Sequence, residues 1–132
     1  MRRYEYKHIM DDKAAAGVGS AFLVKAYRHI IIKITATVGG GEAVTIKAQG
    51  GVDETKPDFS AAQSESNFWD YVQMIDLEDG SAVDGDTGVT VSGSDDFRMF
   101  SINSDALEWL NFELSSITGT IEVDVLANAF AD

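Results

Sequence analysis

Ile30-Ile31-Ile32-Lys33-Ile34-Thr35-Ala36-Thr37-Val38 decides how the chain is read, because Ile30, Ile32, Ile34, Ala36 and Val38 fall on one face while Lys33, Thr35 and Thr37 fall on the other. A period of two with one apolar face is the pattern of a half-buried β-strand. The run stops at Gly39-Gly40-Gly41-Glu42 and alternates again over Ala43-Val44-Thr45-Ile46-Lys47-Ala48, so the pair reads as a β-hairpin closed by a glycine turn.

The same reading extends outward. Residues 21–27 have strand character, and residues 11–20 form a small-residue link rich in Ala and Gly. Residues 50–67 mix Gly, Asp, Ser and the one proline, Pro57, and read as a long surface loop of the kind that is often interfacial. Residues 68–77 return to strand, with Trp69, Tyr71, Ile75 and Leu77 on one side and Val72 and Met74 on the other, as if both faces were covered. Turn formers fill residues 78–88, and short strands follow at 89–92 and 97–102. In residues 104–116, Leu107, Leu110 and Leu114 fit a helix with Ser104 as N-cap, whereas Leu110, Phe112 and Leu114 alternate as a strand; the strand is preferred from Glu108 onward. After Thr118-Gly119, residues 120–125 alternate cleanly and are expected to complete a second hairpin. About eight or nine short strands with regular turn signals predict an all-β fold, an antiparallel β-sandwich or jelly roll.

With 132 residues the chain has room for one domain, here a basic N-terminal arm and flexible link over residues 1–20 and a β-sandwich over 21–132. It has no cysteine, which removes disulfide scaffolds and thiol chemistry, and no apolar run of membrane-spanning length, so no membrane is expected as partner. The net charge of −12 argues against nucleic acid, whose phosphates need clustered Lys and Arg. That charge is uneven: residues 1–33 hold seven basic and three acidic residues, a net +4, which leaves −16 for the rest. A basic segment on an acidic body can meet its own domain or a neighbouring copy.

No catalytic pattern is visible. His8 lies in the arm and His29 beside the isoleucine strand, neither with a partner motif, and the glycines at 39–41 join strands rather than open a phosphate-binding helix. The cluster Asp76, Glu78, Asp79, Asp84 and Asp86 has the oxygen ligands that calcium takes, but not the EF-hand spacing, so it reads first as a solvated turn. If it holds an ion, Asp84 and Asp86 are the expected ligands. Trp69, Tyr71, Trp109 and Phe112 have the chemistry of a sugar-stacking platform, yet each sits inside an apolar pattern that predicts burial.

Residues 27–125, about three quarters of the chain, resemble small all-β structural proteins of tailed bacteriophages. The likeness is carried by the isoleucine strand, by Pro57-Asp58-Phe59-Ser60-Ala61-Ala62-Gln63, by Asn67-Phe68-Trp69-Asp70-Tyr71-Val72, and by Ile75-Asp76-Leu77 through Asp84-Gly85-Asp86-Thr87-Gly88. It implies a virion subunit, non-enzymatic and without a cofactor, that decorates or stabilises a capsid or belongs to the neck or tail. Its partners would be further copies of itself, as a homo-oligomer, and other virion proteins such as a major capsid protein. The alternative from another class is a carbohydrate-binding or adhesin-type module. For a virion subunit the contact residues are expected in the arm, at Arg2, Arg3, Tyr4, Tyr6 and Lys7, and in the long loop, at Pro57 and Phe59. The arm is expected to dock on a neighbouring subunit as an added strand.

Overall fold

The computed structural model describes residues 3–38, 42–92, 96–105 and 107–131. Among them are twelve β-strands and no helix, arranged as two antiparallel sheets packed face to face. The first sheet has the order β1-β12-β4-β10-β7-β8, formed by Arg3–Lys13 (β1), Ile121–Ala131 (β12), His29–Val38 (β4), Asp96–Asn103 (β10), Met74–Asp76 (β7) and Ala82–Val83 (β8). The second is built on Trp109–Thr118 (β11) paired with Ala43–Gly51 (β5). Gly17–Val18 (β2) and Phe22–Leu23 (β3) pair with β11, while Asp70–Tyr71 (β6) and Val89–Ser92 (β9) pair with β5. The all-β sandwich expected from the alternation is the observed architecture.

The isoleucine strand occupies the middle of the first sheet, between β12 and β10. Ile30, Ile32, Ile34 and Ala36 are almost fully buried, and they meet Val44, Ile46 and Ala48 of β5 and Leu110, Phe112 and Leu114 of β11 in one core. Fully burying an aliphatic or aromatic side chain is worth roughly 1.5–3 kcal/mol, so this shared interior dominates the stability of the sandwich.

Both expected hairpins are corrected. β4 lies in the first sheet and β5 in the second, and β11 and β12 are likewise divided. Alternation says only that one face is buried, and a strand on either sheet satisfies it. The connections are instead two arches side by side, since Val38 pairs with Ile121 in one sheet and Ala43 with Thr118 in the other. The glycine turn at 39–41 lies outside the described residues. In the neighbouring arch Gly119 has φ +81°, and a Cβ there would overlap the Glu42 side chain, so both conformation and space require glycine.

Three further expectations change. Residues 68–77 are not one strand covered on both faces: β6 belongs to the second sheet and β7 to the first, so the chain crosses between sheets there. Of residues 21–27 only β3 is strand. The preferred strand after Glu108 is observed as β11, and Ser104 serves no helix; its hydroxyl donates to the Tyr27 carbonyl (3.1 Å).

The segment read as an N-terminal arm is, within this chain, part of the first sheet. Residues 3–13 form β1, in register along β12 of their own sheet from Arg3↔Ala131 to Lys13↔Val123. Register shifts after His8 and after Met10 bend the strand so that Ile9 and Met10, although consecutive, are both buried in the core. The link that follows is anchored as well. Ser20 N–H donates to the Ile9 carbonyl and Gly19 N–H to that of Phe112, and a Cβ at Gly19 would fall on the Ile9 carbonyl oxygen.

Candidate functional site

The outer faces of the two sheets differ. On the first, the positions facing away from the core line up across strands: Tyr4 opposite Phe130, which is opposite His29; Tyr6 opposite Asn128, then Ile31; His8 opposite Leu126, then Lys33 and Met99. His29 stacks on Phe130 with centroids 4.7 Å apart, and Tyr4 is tilted against the same ring. Much of this face is apolar yet open, with Tyr6 66%, Phe97 74% and Met99 55% exposed.

On the second sheet the outward positions are largely polar, and at one end, around Gln49 and Asn111, they are covered. Gln49 and Asn111 pair across β5 and β11 and are both almost fully buried. Gln49 Nε2 donates to the Phe59 carbonyl (3.0 Å), and Asn111 Nδ2 to that of Gly19 (3.1 Å). The cover is the long loop, residues 52–69, which is a packed structure rather than an irregular one. Asn67 is its hub: Nδ2 donates to the carbonyls of Asp58 and Ala62, and Oδ1 accepts from the Asp58 amide. Trp69 Nε1 donates to the Ala61 carbonyl, and the Phe59, Trp69 and Tyr71 rings form a second small core on the outside of the sheet. Tyr71 closes it, donating from its hydroxyl to Glu113 Oε1 (2.9 Å) under the Lys47 ammonium. Burial, with Glu113 as acceptor, pushes the Tyr71 phenol up to about 12.

At the far side of the first sheet, Arg98 Nη2 donates to Asp76 Oδ2 (2.7 Å), which raises the guanidinium further above its ordinary value. Asp76 also accepts the Glu78 amide (2.9 Å), so one buried carboxylate holds both β10 and the turn after β7. Ser81 donates through both its hydroxyl and amide to Asp79 and holds that exposed carboxyl below its usual range.

The sequence candidates fall as follows. Asp84 and Asp86 are exposed and serve the turn: Asp84 Oδ1 accepts the Asp86 amide (3.2 Å) and its carbonyl the Gly88 amide (2.9 Å). Among the described residues the three acidic side chains that converge are others, Asp11, Asp12 and Asp124, with ligand atoms within 4.8 Å of one another. Sequence reading passed over these because Asp124 is 112 positions away from Asp12; here the Asp12 amide donates to Asp124 Oδ1 and caps the β1 bulge. Of the contact candidates, Tyr4 and Tyr6 are well exposed and Lys7 is half-buried. Arg2 lies outside the described residues, and Arg3 is placed as backbone at the start of β1. Pro57 and Phe59 are both buried within the loop, Pro57 over Gly51 and Phe59 against the Trp69 ring. Of the proposed sugar platform, Trp69 and Phe112 are buried and Tyr71 and Trp109 half-buried. Trp109 Nε1 is engaged by the Glu54 carbonyl (3.2 Å).

No protein-family model matches the chain, and no curated protein matches it in sequence. Solved structures do. The SPBc2 prophage-derived protein YomS is similar with a TM-score of 0.60 and 16% identity, over 99% of this chain and 96% of that one. The PBSX exported protein XepA is similar with a TM-score of 0.68 and 15% identity, over 98% of this chain; the chain spans 38% of XepA's length. At these identities the likeness is one of fold.

Proposed function

We propose that the chain is a non-enzymatic structural subunit of a phage particle, one that decorates or stabilises the capsid or belongs to the neck or tail and works through protein–protein contacts. The observation that carries this reading is the shared fold with a prophage-derived protein along nearly the whole length of both chains. The surface supports it. An open apolar sheet face suits repeated contacts better than catalysis, and the absence of cysteine suits a particle that meets changing redox conditions. His8 and His29 stand in different rows of that face, and His29 is engaged in ring stacking rather than poised beside a nucleophile. The carbohydrate-binding reading is less well supported, because Trp69 and Phe112 are buried.

The test is to purify particles of the phage that encodes the chain through a density gradient and quantify their proteins by mass spectrometry. The expected result is a constant ratio of this chain to the major capsid protein across the particle peak. A chain found free in the lysate and absent from the peak overturns the proposal.

A further inference from the structure

A sheet edge leaves backbone donors and acceptors without partners, and folded chains blunt it by keeping edge strands short or bent. Among the described residues this chain does so at every edge but one. β8, at the far end of the first sheet, has two residues, and β2, β3, β6 and β9, at the sides of the second, have two to four. β1 has eleven, contains no proline, and runs in unbroken register from Arg3↔Ala131 to His8↔Leu126 before its first bulge. Apart from its ladder with β12, the backbone hydrogen bond it makes among the described residues is the one from Ser20 N–H to the Ile9 carbonyl. The strand is therefore tied down from Ile9 onward, and its outer edge is open over residues 3–8.

That open stretch is complementary to itself. Two antiparallel copies of an edge strand are related by a two-fold axis perpendicular to the sheet, which keeps like faces together, so the pairing is centred on one residue opposite its own copy. Centred on Tyr6, the middle of residues 4–8, it sets Glu5 opposite Lys7 of the second copy and Lys7 opposite its Glu5, with Tyr4 opposite His8 on the outer face. Centring on Glu5 or on Lys7 puts identical charges directly opposite each other. Centring on His8 brings Glu5 against Asp11 and runs into the bulge, and centring on Tyr4 leaves three described residues, 3–5, to pair. An edge lysine repels most incoming strands. Here it admits one that carries a carboxylate at the matching position, and β1 itself is such a strand. Tyr4 and Tyr6, 59% and 66% exposed, gain cover from the same pairing.

We infer that the chain forms a two-fold dimer in which β1 pairs antiparallel with β1 of a second copy over residues 4–8, centred on Tyr6, so that two six-stranded sheets join into one. The contact is independent of the particle role proposed above. It is tested on purified protein, so its failure leaves that role standing and the failure of that role leaves the dimer standing.

The chain has no cysteine, so single cysteines placed on it report proximity without background. Residues directly opposite in an antiparallel pair have Cα atoms about 4.5–5.5 Å apart, within disulfide reach. Under mild oxidation Tyr6→Cys is expected to give a covalent dimer, whereas Phe97→Cys, on β10 and more exposed, is expected to stay monomeric. A mixture of Tyr4→Cys and His8→Cys is expected to cross-link while neither does so alone, which reads the register. In sedimentation equilibrium the wild-type chain is expected to dimerise, and Lys7→Glu to dimerise at least about tenfold more weakly, because two attractive pairs become repulsive. An unchanged circular dichroism melt shows that each variant folds, and the cysteine variants decide the matter where Lys7→Glu melts early. A wild-type chain that stays monomeric at high concentration overturns the inference. So do Tyr6→Cys cross-linking no faster than Phe97→Cys, a Tyr4→Cys and His8→Cys mixture that does not cross-link, and a folded Lys7→Glu that associates like wild type.

Discussion

Tyr71 joins the loop to the second sheet through one hydrogen bond to Glu113, and its ionisation reports on that junction. The phenol titrates near 10 in an unfolded chain and at about 12 here, so its contribution to stability is complete below pH 10 and is lost as pH rises to about 12. We predict that Tyr71→Phe lowers stability at neutral pH by about 0.5–1.5 kcal/mol, the net worth of one hydrogen bond, and that the difference from wild type vanishes above pH 12. Thermal melts of both proteins across the alkaline range check this. Asp76 is a second such residue. Asp76→Ala removes the acceptor for both Arg98 and the Glu78 amide and is expected to cost about 2 kcal/mol, because Arg98 is partly solvated and escapes the full penalty of a buried unpaired charge. Asp76→Asn, which keeps an acceptor oxygen in place, is expected to cost less in the same denaturant titration.

Among the elements, β1 shows most clearly what sequence conveys and what it does not. Its alternation of Tyr4, Tyr6 and His8 against Glu5, Lys7 and Ile9 is visible by inspection, but its partner is not, because any open sheet edge accepts such a strand. The bulge that buries both Ile9 and Met10 depends on Asp124, which no local pattern connects to Asp12. Deleting residues 1–13 is therefore expected to destabilise the sandwich strongly, with loss of the cooperative melt, since it strips two core side chains, the neighbour of β12 and the Tyr27–Glu5 hydrogen bond. A truncated protein that melts like the full chain contradicts this placement. β4 was legible in full because a single strand's burial follows from its own side chains. The arches at either side of Gly119 and Glu42 were not, because sheet membership is decided by partners far along the chain. Likewise the loop over the second sheet looked irregular in sequence because its order comes from side chains bonding to backbone, with Asn67 and Gln49 as the organisers, and such bonds have no period.

For the whole molecule, the acidic excess read from sequence is found on both faces of the sandwich: Lys33 shares the open face with Glu122 and Asp124, and residues 52–69 on the other carry Asp53, Glu54, Asp58 and Glu65. Tyr4 and Tyr6 were found as surface residues from the arm's alternation, whereas Phe97, Met99 and Phe68 were missed, since an exposed apolar side chain carries the same signal as a buried one until its neighbours are known. The proposed role makes this chain a subunit built into a phage particle. It is tested most directly by electron microscopy of particles made with and without the gene, with the difference between the two reconstructions compared with the shape of the sandwich. The account predicts density of this size, repeated by the symmetry of the head, neck or tail, that disappears on deletion and returns when the gene is supplied again. Particles that are identical with and without the chain contradict it.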